Sequence, residues 1–339
     1  MSSTPLLSQN GLPAPVIMQD HPVFLRCSHS PWRWIPQNAL VGLRGCVLAY
    51  LVATSVMTGH YKMNVEESED SPLANMFDFS LISYAMTFMY HLITFAWTFT
   101  HLYYPEPNEV EGRAERWIIK TMSLPRNMAS QRKQFHFNLF YIITFVFCFM
   151  NSTIYWFVTR QHDAGDAANV ASKVAANVIG ASVNMSSAAT LPDTPFSDLF
   201  GEGWFPGFMK INMHAINSCI MTIECLFFNS IKKPHAIGSS ILCTAALSGL
   251  YLVWGGIGKS VSGKFPFFWM DEEQVGSKEA VSVYCTGFVG LSVMTLLDVL
   301  SLVAPTKAST PELDDAVDVD TSMGTMPRPN PLRISHGEE

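Results

Sequence analysis

The chain has 339 residues, of which 48% are hydrophobic, 12% aromatic and only 14% charged, with a formal net charge of -7. A soluble domain carries nearer about a quarter charged residues, so this balance points away from a soluble globular protein and towards membrane-sized apolar stretches. No basic stripe with interleaved aromatics occurs, which argues against nucleic acid as a partner.

Residues 1–37 are polar and Pro-containing and read as a cytoplasmic N-terminal tail. The first 30 lack a continuous apolar core, so the first apolar helix is expected to direct insertion itself. Spanning a bilayer takes about 20 mostly apolar residues. Six segments qualify: 38–58, 79–104, 135–158, 204–228, 236–258 and 280–303. In lipid the backbone must satisfy its own hydrogen bonds, so each is predicted to be a helix. The expected fold class is therefore all-α, a polytopic transmembrane bundle of about six helices over 38–303. Residues 304–339 are rich in Pro, Asp, Thr and Glu without apolar periodicity, and read as a disordered cytoplasmic tail.

Lys and Arg near the span ends set the orientation. Arg26, Arg33, Arg113, Arg116, Lys120, Arg126, Arg132, Lys133, Lys232, Lys233 and Lys307 fall on one side. Lys62, Arg160, Lys173, Lys259, Lys264 and Lys278 fall on the other. The bias places both termini in the cytoplasm. Arg44, just inside the first span, is expected to snorkel to that surface. The longest outer loop is predicted to hold a short surface helix over 168–183 and a glycosylation sequon at Asn184. Six of the seven cysteines lie within the apolar segments, without a CxxC, and are expected to be reduced packing residues.

The second span carries Ser83, Thr87, His91, Thr94, Thr98 and His101 at helical spacing, so one face is polar. The fourth carries His214, Asn217, Met221 and Glu224 in the same way, flanked by Asn212, Ser218 and Thr222. Polar stripes inside a membrane should turn away from lipid. At 1.5 Å per residue, Thr87 lies about 12 Å deep and His214 about 15 Å, with His91 and Asn217 about 18–20 Å deep. The depths allow all four to share one pocket, provided that spans two and four are neighbours. A threonine hydroxyl is a weak nucleophile until a base takes its proton, and histidine is the usual base. Thr87 with His91 or His214 meets that requirement; the alternative is that both stripes are packing and interhelical hydrogen bonding.

Three short motifs then carry a resemblance over about 41–303. They are Ser83-Tyr84-Ala85-Met86-Thr87, Asn212-Met213-His214-Ala215-Ile216-Asn217-Ser218, and Lys264-Phe265-Pro266-Phe267-Phe268. In order and spacing the chain resembles the androgen-induced membrane proteins, six-helix proteins that include hydrolases of fatty acid esters of hydroxy fatty acids, and the related rolling-stone proteins. The resemblance implies Thr87 as nucleophile. It aligns the family's catalytic His with Asn217 and the preceding His with His214. Asparagine is no general base, so His214 or His91 would have to take that role, or the chain is a non-catalytic relative.

Three functions follow. The first is an intramembrane threonine-type hydrolase of fatty acyl esters, with a membrane lipid as substrate and no cofactor. The second is a non-enzymatic adhesion, fusion or scaffold protein. The third is a transmembrane haem carrier using two facing imidazoles among His60, His91, His101, His136 and His214. The endoplasmic reticulum or plasma membrane is the expected location.

Overall fold

The computed structural model describes residues 22–32, 34–65, 72–104, 112–125, 127–162, 203–231 and 237–308. The 168–183 helix, the Asn184 sequon and the tail beyond 308 lie outside them. All regular structure among the described residues is helical. Six helices are long and apolar enough to cross a membrane, so the chain is an integral, multi-pass membrane protein.

A short helix α1 (Val23–Cys27) precedes α2 (Gln37–His60), which runs on as a π turn at Tyr61–Val65. Then come α3 (Phe79–Tyr103), the surface helix α4 (Arg113–Met122), and α5 (Gln131–Ile154) with its own π turn at Tyr155–Thr159. The fourth span, α6 (Trp204–Phe228), alternates α-helix with π turns at Asn212–Ile216 and Glu224–Phe228. α7 (Ile237–Ser262) and α8 (Lys278–Ala308) complete the bundle. Six crossings return the chain to its starting side, so α1 and the end of α8 share one end of the bundle, the near end; the turn at Pro72–Met76 marks the far end.

Burial ranks the helices. The third span is 67% buried within the protein and the sixth only 17%, so α5 is the central post and α8 a lipid-facing flank. Sequence explains this, since α5 is apolar around its whole circumference, as a helix wrapped by others must be. α2 packs beside α3, α3 beside α5, and α7 beside α8. α3 also touches α6 at the His214 turn and the following segment, making spans two and four neighbours.

The far end is fixed by aromatic packing. The Phe79 ring lies 4.8 Å from Tyr251, 5.2 Å from Phe147, 5.4 Å from Phe288 and 5.9 Å from Phe267, joining α3 to α5, α7, α8 and the 264–268 turn. Gly258 lets Phe77 lie directly on α7; a Cβ there would sit 2.7 Å from the Phe77 ring. Asp78 follows and caps α3, its carboxylate accepting from the Ser80 N–H at 2.7 Å. An aspartate cap satisfies one of the four orphan N–H groups of a helix start.

Residues 22–32, expected as part of a tail, are folded onto the bundle. Phe24 and Cys27 are buried, and Phe24 packs on Trp97 and Phe137. The packed bundle thus includes residues 22–32, ahead of the first span.

Candidate functional site

Arg44 does not snorkel. It is 1% exposed and turns into the bundle. Its guanidinium donates to Glu224 Oε1 at 2.6 Å, to the carbonyls of Cys27 at 2.8 Å, Phe228 at 2.9 Å and Thr94 at 3.3 Å, and to Thr98 Oγ1. Tyr90 donates to the same carboxylate oxygen at 3.1 Å, and Asn229 donates to the Tyr90 hydroxyl at 3.4 Å. The N-terminal segment covers the near end, so the route to the headgroups is closed and the charge must be paired inside.

That segment also finishes α6. The last carbonyls of a helix have no partner within it. Here Trp32 Nε1 donates to Leu226 O at 2.8 Å, Ser30 Oγ to Phe227 O at 2.6 Å, and Arg44 to Phe228 O. Arg26 extends the fastening to Ser230 O at 3.2 Å. A sequence signal for the Arg44–Glu224 pair existed. Opposite charges stand about 10 Å and about 6 Å from the same end of the first and fourth spans, counted at 1.5 Å per residue.

Further along the bundle the polar residues behave differently. Thr87 is fully buried, and its hydroxyl donates to Ser83 O at 3.0 Å. Both ring nitrogens of His91 and both polar side-chain atoms of Asn217 are buried with no hydrogen-bond partner in the protein. Asn212 accepts from the Tyr50 hydroxyl at 2.7 Å, but its amide nitrogen has no partner. The Cys148 thiol of α5 joins the two stripes. It faces Ser218 Oγ at 3.7 Å and the hydroxyls of Thr87 and Ser83. Ser218 in turn donates to Cys148 O at 3.1 Å and pairs with Ser152 at 2.5 Å.

His214 sits in the π turn of α6. Its ring stacks on Tyr155 at 3.8 Å with planes 7° apart, its Nδ1 has no partner, and its carbonyl accepts from Trp156 Nε1 at 3.2 Å. Asn151 donates to the adjoining Met213 O at 2.9 Å. The π turn widens the helix there; such turns occur often at functional sites. Between His214 and the far surface lies the Lys62–Asp78 ion pair at 3.0 Å. Burial raises the Asp78 carboxyl, but Lys62, with the Ser80 N–H and His214, outweighs it and holds Asp78 below the usual carboxylate range.

Both predicted stripes therefore face inward: Ser83, Thr87, His91, Thr94 and Thr98 on α3, and His214, Asn217, Met221 and Glu224 on α6, are all buried. The structure brings Thr87 to Ser218, the neighbour of Asn217, across Cys148. No hydrogen bond joins Thr87 to His91 or to His214 Nδ1. Cys148 and Ser218 were missed as members of the set, because a buried cysteine and a serine one position off the stripe read as packing. Of the remaining imidazoles, His60 and His136 are exposed. Among the described residues, no three His, Cys, Asp or Glu side chains are placed to hold a metal ion. Neither a scan of family models nor searches of curated proteins and solved structures return a match.

Proposed function

We propose that this membrane protein hydrolyses fatty acyl esters within its helix bundle, with Thr87 as nucleophile, His91 as general base and Asn217 as oxyanion donor. One observation carries the reading. His91, one turn from Thr87, and Asn217, beside the Ser218 that Cys148 links to Thr87, hold buried side-chain atoms with no protein partner, whereas buried polar side chains are mostly hydrogen-bonded. The resemblance to the androgen-induced membrane proteins, which implies Thr87 as nucleophile, supports it further.

The chemistry follows from position. Side chains on a helix lean towards its N-terminus, so the His91 ring covers the turn that holds Thr87. Rotation of the Thr87 hydroxyl away from Ser83 O aims its proton at that imidazole. Oγ1 attacks the ester carbonyl as His91 takes the proton, and the Asn217 amide donates to the developing oxyanion. Collapse releases the alcohol, which recovers the proton from His91. Water, activated by the same imidazole, then cleaves the acyl-threonine ester and frees the fatty acid. Asn217 thereby acts as a donor at a position where a base is absent, and the base comes from α3. His214, stacked on Tyr155 towards the far end, borders the site.

The alternative, a non-enzymatic adhesion, fusion or scaffold protein, draws on the Arg44–Glu224 network, in which both residues are hydrogen-bonded although Arg44 Nε and Glu224 Oε2 have no partner. It gives no account of the partnerless side chains of His91 and Asn217.

The test is hydrolysis of a long-chain 4-methylumbelliferyl ester by purified protein in micelles. Thr87→Ala should cost several orders of magnitude in rate, while Thr94→Ala, about 10 Å further along α3, keeps most of it. His91→Ala should match Thr87→Ala. No turnover by the wild type, together with no adduct from an alkyl fluorophosphonate, would remove the enzyme reading.

A further inference from the structure

The helix α4, between spans two and three at the near end, is unlike the rest of the surface. Its sequence places Arg113, Arg116 and Lys120 at positions i, i+3 and i+7, within one narrow arc of the helix. Trp117 flanks that arc and is 69% exposed, and Ile118 is 49% exposed. Only Ile119 is buried against the bundle. The helix is held to α3 at bilayer-exit level, where the Thr100 hydroxyl donates to Met122 O at 3.2 Å. Arg132 and Lys133 open α5 on the same side and are exposed. Glu115 is the sole acidic residue among the described residues from 112 to 133.

We infer that α4 is a docking surface for anionic phospholipid headgroups. Charge complementarity points to that partner. Over residues 105–133 the sequence carries six Lys and Arg against four Glu, and among the described residues from 112 to 133 five against one; a leaflet carrying anionic lipid is what meets them. The exposed Trp117 beside the cations suits the membrane interface, where tryptophan's apolar body and polar N–H both find partners. Water-facing protein partners would leave that indole and Ile118 in solvent. The site is separate from the Thr87 chemistry, and its test does not depend on turnover.

The experiment uses the full chain reconstituted in phosphatidylcholine vesicles with trace spin-labelled phosphatidylglycerol or spin-labelled phosphatidylcholine. Electron spin resonance reads the motionally restricted fraction of each. The wild type should prefer the anionic label by at least about fivefold, the factor that one Lys or Arg near an anionic surface supplies. At about 1 M salt, where the screening length is about 3 Å, the preference should vanish. The Arg113→Gln/Arg116→Gln/Lys120→Gln variant should lose it. The far-end variant Lys259→Gln/Lys264→Gln/Lys278→Gln should keep it. Equal association of both labels with the wild type, a preference that survives high salt, or equal loss in both variants would overturn the assignment. The wild-type and salt measurements decide it even if the α4 variant does not fold.

Discussion

The near end and the middle of the bundle are both built from polar residues on α3 and α6, yet they differ in how those residues are paired. Around Arg44, both terminal guanidinium nitrogens donate, and Glu224, Tyr90, Thr94, Thr98 and Asn229 all take part. One turn or two further on, His91 and Asn217 hold donors and acceptors that meet none in the protein. Burying a polar group without a partner costs about 1–3 kcal/mol. Each residue of the Arg44 cluster holds at least one hydrogen bond, though Arg44 Nε and Glu224 Oε2 lack a partner, whereas the side chains of His91 and Asn217 make none. Polarity inside a span is thus a poor guide to function on its own; the state of its hydrogen bonds separates the two cases.

The largest effect expected from this contrast is on catalysis. Asn217→Leu removes the oxyanion donor and should lower ester hydrolysis by about 10²–10³, the cost of one such donor elsewhere. Tyr90→Phe, in the fastening, should leave the rate per folded molecule nearly unchanged. An Asn217→Leu enzyme with full activity would break the comparison at its functional side.

Stability comes next. Glu224→Ala leaves the Arg44 charge buried and unpaired, and should cost about 3–5 kcal/mol, read as a lower Tm in detergent. Replacing both partners, Arg44→Met with Glu224→Leu, should recover much of that loss, because no lone charge remains. Tyr90→Phe should cost about 1.5–3 kcal/mol, the range for a hydrogen bond to a charged group. A Glu224→Ala protein as stable as the wild type would mean the network fastens nothing.

The smallest effect concerns the far end and pH. The Asp78 carboxyl is held below its ordinary value, where burial is outweighed by Lys62. Between the folded and unfolded pKa values the unfolded chain binds more protons, so stability falls with falling pH there. The contribution is fully present above about pH 4, the ordinary aspartate value, and is lost as pH drops through the lower folded value. Wild-type Tm should therefore hold down to about pH 4 and then decline, and Asp78→Asn should flatten that limb.

Much of this was legible in the sequence. The six spans follow from length and apolarity, and the structure extends the first to Asn64 and the third to Gln131–His162 because polar residues at span ends reach the interface. The inward turn of both stripes followed from their spacing. Arg44 was not legible as buried, because near a span end snorkelling and pairing look alike until a cover is known. That cover, Trp32 and Ser30 on the carbonyls of α6, comes from a segment whose polar composition reads as tail. Nor do the π turns at Asn212–Ile216 and Glu224–Phe228 leave a mark in residue spacing, since they change the helix by less than one residue per turn.

The division between fastening and site rests most directly on one paired measurement, the Tm of Glu224→Leu and of Asn217→Leu in the same detergent. Both exchange a buried polar side chain of α6 for leucine at similar burial. Glu224→Leu strands Arg44 and should lose about 3–5 kcal/mol, whereas Asn217→Leu gives up no hydrogen bond and should match or exceed the wild type, by up to about 1 kcal/mol. If Asn217→Leu falls as far as Glu224→Leu, Asn217 is structural glue like the rest, and the site proposed around Thr87 loses its oxyanion donor.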